Sequence, residues 1–262
     1  MKNIFINFRN QLTAFSDYIG DLIVNVPTWF CLFLTCILIC IFIIPGQFSL
    51  PPLDRDEARF SQASKQMVED KNYVTIKFQD KLRAKKPIGI YWIQSFSANL
   101  FGKDKISSYR IPNILGAFLI CVISGIFVYN ILYKTIGQSY SISLNIGIIS
   151  SIIFVSLFGF AVEIRQAKTD TFLLLFCLCQ QWMLWKIYSY GNSNWNEFKT
   201  NGIPWTVRLF WLFMALGILI KGPIAPLLAV LTIMSGHIVY GIICIMPTFY
   251  ELFATLKYSF RG

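Results

Sequence analysis

The chain has 262 residues, 55% hydrophobic and 16% aromatic, and only 14% are Asp, Glu, Lys or Arg. An ordinary soluble domain carries roughly 25% charged residues, whereas here residues 22–53, 111–133, 135–162, 171–185 and 222–250 carry none. That pattern excludes a soluble globular enzyme, a disordered chain and a collagen-like chain, and predicts an all-α membrane protein with several spans. The net charge of +10 forms no basic arm or stripe, so nucleic acid is not a predicted partner.

Residues 1–27 are a mixed, polar tail in which no cleavable signal peptide is evident. Six spans are expected, at 28–45, 111–133, 142–162, 171–189, 204–220 and 223–246, each near the roughly 20 apolar residues that cross a bilayer. The fifth requires Arg208 to snorkel to the interface. The seven cysteines all lie inside apolar stretches, where Cys acts as a small hydrophobe, and His237 is the single histidine. No His/Cys ligand cluster can be assembled, so no metal and no cofactor is predicted from the residues.

Residues 46–110 form the one long polar segment, with twelve of the 23 Lys/Arg and seven of the 13 Asp/Glu. Asp54 and Glu57 have capping-box spacing, which predicts a helix start. Phe60, Ala63 and Met67 share one face of that helix, and Asp70-Lys71-Asn72 reads as its stop. Val74, Ile76 and Phe78 alternate with polar neighbours, a sign of extended chain. Pro87 suits the first turn of a second helix, in which Ile88, Trp92, Phe96 and Leu100 recur every four residues. Such a helix either lies in the membrane interface or packs as an ordinary amphipathic helix.

Span parity places 46–110, Glu163–Asp170 and Lys221-Gly222 on one face of the membrane. Charges that converge at the mouths of apolar spans mark a functional site. Taken singly, each group has a bland role. Asp56-Glu57 would complement a helix dipole, Lys85-Lys86 would anchor an interfacial helix, Asp170 would cap a helix and Lys221 would end one. The distribution of Lys/Arg, 15 on the site face and eight on the other, would turn that face towards the cytoplasm.

In order along the chain, "LDRDEARFSQASKQMVEDKNYVTIKF", "LRAKKPIGIYWIQSFSANLFG", "EIRQAKTDTFLLLF" and "ALGILIKGPIAPLL" resemble the integral-membrane glycosyltransferases that use polyprenyl-phosphate sugars. The likeness is to the bacterial 4-amino-4-deoxy-L-arabinose transferases of lipid A and to the protein O-mannosyltransferases, and it runs from about residue 28 to 246. It implies a GT-C architecture with juxtamembrane helices in a periplasmic 46–110 loop, against the Lys/Arg distribution. It also implies cytoplasmic tails at 1–27 and 247–262, and a multi-pass protein of the bacterial inner membrane. Asp56 matches the essential carboxylate, Glu57 its acidic neighbour and Asp170 the acidic residue of the second periplasmic loop. Arg59, Lys85, Lys86 and Lys221 match basic positions near the lipid phosphate. Where the aminoarabinose transferases have Glu before Lys-Pro, this chain has Lys85, so metal ligation seen there is not carried over.

The resemblance implies transfer of a sugar from a polyprenyl phosphate to a lipid A, glycan or protein acceptor, inverting the anomeric carbon in a single displacement. Members of the family are usually much longer, so the chain reads as an N-terminal half, with a second chain as a candidate partner supplying the remainder. A catalytically silent fragment and a membrane transporter are the rival readings.

Overall fold

The computed structural model describes residues 27–83, 85–191 and 205–235. Nearly all of the two expected tails, His237 and most of the connection after the fourth span lie outside them. Helix α1 spans Thr28–Ile43. It is apolar around its whole circumference, yet only Thr35, Ile39 and Ile43, one stripe at a spacing of four, are buried. Phe33 on another face is 60% exposed. A helix that buries a threonine and exposes phenylalanine is suited to lipid rather than to water.

In the long polar segment, α2 spans Arg55–Glu69 and buries Phe60, Ala63 and Met67, the face expected from the spacing. Lys71, with φ of 52°, ends it just beyond the C-cap Asp70. The extended stretch is short: β1 (Lys77–Phe78) pairs antiparallel with β2 (Lys81–Leu82). Helix α3 spans Gly89–Phe101. Its inward face buries Ile90 and Tyr91 in the first turn and then only small or polar residues, Gln94, Ser95, Ser97 and Ala98, while Trp92, Phe96 and Leu100 are exposed. Of the two readings of this helix, that inside-out pattern favours the interfacial one.

Helix α4 spans Ile106–Asn130 and continues as a π-helical turn over Ile131–Ile136. It is the one helix among the described residues that is long and apolar enough to cross a membrane by itself; the apolar helices α1, α5 (Tyr140–Ser156) and α9 (Ile224–Ser235) are shorter. Helices α7 (Asp170–Gly191) and α8 (Trp205–Lys221) pack extensively on each other. Each of the six expected segments thus contains a helix, the last described to Ser235. The third is not continuous as expected: Leu157 is extended, and α6 (Phe158–Glu163) resumes at an angle that brings Phe160 edge-on to Phe154 at 5.1 Å.

Small residues set the closest crossing. A Cβ on Gly125 of α4 would lie 2.9 Å from the Gly147 carbonyl oxygen of α5, and one on Gly147 would lie 2.7 Å from the Gly125 oxygen. Ser151 then donates to the Cys121 carbonyl across the same interface at 2.7 Å. Close backbone approach and a cross-helix hydrogen bond are how helices associate where no hydrophobic driving force is available. At the end of the bundle where α4 ends and α5 begins, Tyr129, Tyr133 and Tyr140 stack together, and Trp182 and Trp185 flank Phe127. Aromatic residues gathered at one level form the belt of a membrane–water interface. The charged segments lie at the opposite end.

Candidate functional site

The first turn of α2 carries the leading candidates, and the two adjacent carboxylates diverge. Asp56 is exposed and sits 3.6 Å from Arg59 one turn on. Glu57 is fully buried. Its Oε1 accepts from Nε of Arg110 at 2.7 Å and from the Ala167 amide at 3.0 Å, while its Oε2 accepts from Nη2 of Arg110 at 3.1 Å and from the Leu53 amide at 2.8 Å. The helix starts where the spacing predicted, but not by a capping box: the N-cap Asp54 makes no side-chain cap bond. Asp54 instead pairs with Lys168 at 2.5 Å.

Arg110, in the second turn of α4, is also fully enclosed. Besides Glu57 it donates to the carbonyls of Gly46, Gln47, Leu50 and Pro51. A buried ion pair holds only when its remaining lone pairs and protons are satisfied, and here the loop that leaves α1 wraps the guanidinium to supply them. One pair therefore fixes the 46–53 loop, the start of α2 and the 164–169 connection to one another. Gln94 and Asn113 extend the clamp by donating to the carbonyls of Ala167 and Gln166.

The second and third charged groups join the first. Asp170 begins α7 and is paired with Lys221, the last residue of α8. Lys168 is surrounded by carboxylates: burial pushes its ammonium down, but the bond to Asp54 and the charges of Glu163, Asp54 and Asp170 carry it above its usual range. The same Lys168 bond holds the Asp54 carboxyl below its usual range. Beside this group, Glu163 and Asp170 line an otherwise apolar cavity of about 380 Å³ among α5, α6, α7 and α9.

Helix α3 reaches the same place from the other side. A Cβ on Gly89 would lie 2.7 Å from the Leu219 carbonyl oxygen, so the start of α3 abuts the end of α8. Lys86 and Lys221 therefore leave from adjacent stretches of backbone. Lys85 is exposed and Lys86 half-buried, and neither has a carboxylate within ion-pair distance among the described residues. Phe60 of α2 packs on Tyr91 of α3 at 5.5 Å, so Asp56 faces the α3 side. Burial pushes the Tyr91 hydroxyl up; Arg83 pulls against that, and the Asp56 charge adds to it. Among the described residues no three His, Cys, Asp or Glu side chains gather as a metal site.

Of the seven residues singled out by sequence, Asp56 pairs with Arg59, Asp170 pairs with Lys221, and Glu57 is joined to the 164–170 connection through the Ala167 amide, while Lys85 and Lys86 precede the end of α3 that abuts Leu219. Arg110, Lys168, Asp54 and Arg83 were not singled out. Their partners are remote in sequence, and the only signal for Arg110 was a charge facing an apolar run.

The sequence pattern of the dolichyl-phosphate-mannose-protein mannosyltransferases matches residues 81–250, well over half of the chain. The chain belongs to that family. The match takes in Lys85, Lys86, Asp170 and Lys221 and begins after Asp56. Among solved structures, ArnT from Cupriavidus metallidurans bound to undecaprenyl phosphate superposes with a TM-score of 0.58 and 16% identity, over 82% of this chain and 36% of that one. At that identity the likeness is one of fold, and the chain spans about a third of ArnT's length. A search of curated proteins found no match. The family is of glycosyltransferase type, and the match agrees with the GT-C resemblance carried by the chain's motifs.

Proposed function

We propose that the chain carries the donor-side half of a site that transfers a sugar from a polyprenyl phosphate to an acceptor hydroxyl at the periplasmic face of the bacterial inner membrane. The observation that carries this reading is the convergence of three charged segments, 54–59, 163–170 and Lys221, at one end of the bundle. Lys168 joins Asp54, the Ala167 amide joins Glu57, and Lys221 joins Asp170. Lys86 enters the same patch at the start of α3.

In the proposed reaction the acceptor oxygen attacks the anomeric carbon, the bond from that carbon to the phosphate oxygen breaks, and its electron pair leaves with the lipid phosphate. Asp56 takes the acceptor proton as that bond forms, work that suits an ionised carboxylate open to the site. Lys86 and Arg59 offset the charge growing on the departing phosphate, and Lys85 supports them at the rim. Lys221 acts mainly through Asp170, holding it at the edge of the apolar cavity, which is suited to the isoprenoid next to the phosphate. Glu57 has no open face, so its part is to position Asp56 rather than to touch substrate. No metal is assigned a role.

The acceptor hydroxyl would belong to a lipid, a glycan or a protein. A transporter is the reading to set against this one. Purified chain in nanodiscs should retain radiolabelled polyprenyl-phosphate mannose on a filter, and vesicles should show no proton-coupled solute uptake. Uptake without lipid binding would reverse the assignment.

A further inference from the structure

Four of the cations around Asp56 are committed to carboxylates. Arg59 pairs with Asp56, Lys168 with Asp54, Lys221 with Asp170 and Arg110 with Glu57. Arg83, at the end of the β-hairpin, is different. It is half-buried, and no carboxylate lies within ion-pair distance of it among the described residues. Its guanidinium carbon lies 5.5 Å from the centre of the Phe60 ring and 5.8 Å from that of Phe78. Its Nε donates to the Tyr91 hydroxyl at 3.0 Å, and its backbone N–H is fixed to the Ile76 carbonyl at 2.8 Å.

Two rings and one hydrogen bond thus fix the guanidinium without using its fork. The four N–H groups on the terminal nitrogens have no hydrogen-bond acceptor among the described residues, and a fork held in this way is organised for a two-oxygen anion. Tyr91 adds a second donor. It is buried, and because its oxygen already accepts from Arg83, its own proton must be donated elsewhere. No described residue takes it.

We infer that Arg83 and the Tyr91 hydroxyl together form an oxyanion-binding pair that holds a phosphate group on the α3 side of Asp56. The pair deepens the proposed function, resting on it only for the source of the phosphate, which is either the donor lipid or a phosphorylated acceptor. Arg83 donates through its fork and Tyr91 through its phenolic proton. Phe60 and Phe78 lie against the guanidinium and hold it in place.

The test measures binding of farnesyl phosphate, farnesol and inorganic phosphate to the full 262-residue chain in detergent, with melting curves as a folding control. Arg83→Gln should weaken farnesyl phosphate at least about ten-fold, the loss expected for hydrogen bonds to a charged group, and leave farnesol unchanged. Arg83→Lys should recover part of that affinity by keeping the charge without the fork. Tyr91→Phe should lose less than Arg83→Gln. The salt dependence of binding should flatten in the Gln variant alone, which a purely structural role for Arg83 would not produce. A loss confined to farnesyl phosphate assigns the donor lipid, whereas a loss of inorganic phosphate with farnesyl phosphate retained assigns a phosphate from another source. Wild-type affinity for both in a folded Arg83→Gln variant would overturn the inference and leave the proposed function standing. Arg83-dependent phosphate binding without any farnesyl phosphate binding would do the reverse, and a wild-type chain that binds neither would overturn both.

Discussion

Glu57 and Arg110, 53 residues apart in sequence, form a fully enclosed two-point ion pair, with bonds of 2.7 and 3.1 Å and no solvent on either side chain. Asp56, the neighbour of Glu57, is open to solvent. The alternation follows from α2 itself, since adjacent helical positions point about 100° apart. The buried acid anchors the turn that presents the exposed one.

Stability and chemistry should therefore separate between these two acids. Glu57→Gln strands a buried guanidinium and should destabilise the folded chain by about 3–5 kcal/mol, the usual cost of removing one partner from a buried pair. Asp56→Asn should leave the melting temperature within a degree or two of wild type. Thermal melts of both variants in the same detergent check this, and equal losses would mean that Asp56 is also structural.

The Asp54–Lys168 bridge gives a pH signature. The folded carboxyl of Asp54 titrates below its ordinary 3.8, so its contribution is complete above that value and is lost as pH falls through the lower folded value. Lys168 titrates above its ordinary 10.5, so its contribution is complete below that and is lost as pH rises through the higher folded value. The difference in melting temperature between wild type and Lys168→Met should be flat across neutral pH and shrink at both extremes. A difference that peaks near pH 4 would contradict the bridge.

Much of α2 was legible because its pattern is local. Phe60, Ala63 and Met67 repeat at helical spacing, and Asp70-Lys71-Asn72 supplies the stop. Alternation at Val74, Ile76 and Phe78 announced extended chain, though only two residues pair on each side. Asp170 and Lys221 stood out only through their motifs; that they pair depends on how α7 packs against α8. The capping-box spacing marked the helix start, but its two side chains are drawn to other partners. Glu57 is drawn inward by Arg110, and Asp54 outward by Lys168, and neither partner is near in sequence. The break at Leu157 had no proline to announce it.

The α4–α5 crossing has no room for a side chain. Gly147→Leu would drive a branched group into the Gly125 carbonyl and the Tyr129 Cβ, which already lies 3.2 Å from the added Cβ position. The substitution should reduce the yield of folded protein more than Gly159→Leu, since no atom lies within 4 Å of a Cβ placed on Gly159. Fluorescence-detected size-exclusion profiles of the two variants compare them directly.

Orientation has its own test. Single cysteines at Lys71 and Lys103, in a background without the native seven, should react with an impermeant thiol reagent in intact cells. One at Gln138, near the tyrosine-rich end of the bundle, should react only after lysis. The opposite pattern would put the α2–α3 face in the cytoplasm and restore the orientation that the Lys/Arg distribution favours.

Asp56→Asn is the sharpest test of the proposed chemistry. The amide keeps the shape and the hydrogen-bonding reach of the carboxylate but cannot take a proton. Asp56 sits at the start of α2, open to solvent and 3.6 Å from Arg59. Its use must come late in the transfer, when the attacking hydroxyl has become acidic. Loss of a positioned base costs about 10²–10⁴-fold in rate, so turnover should fall by at least about 100-fold while farnesyl phosphate affinity stays within about two-fold. The assay belongs in membranes where the wild-type chain supports transfer, and the split between rate and affinity is the readout. Unchanged turnover would remove Asp56 from the mechanism and make Asp170, held by Lys221 at the edge of the cavity, the next carboxylate to replace.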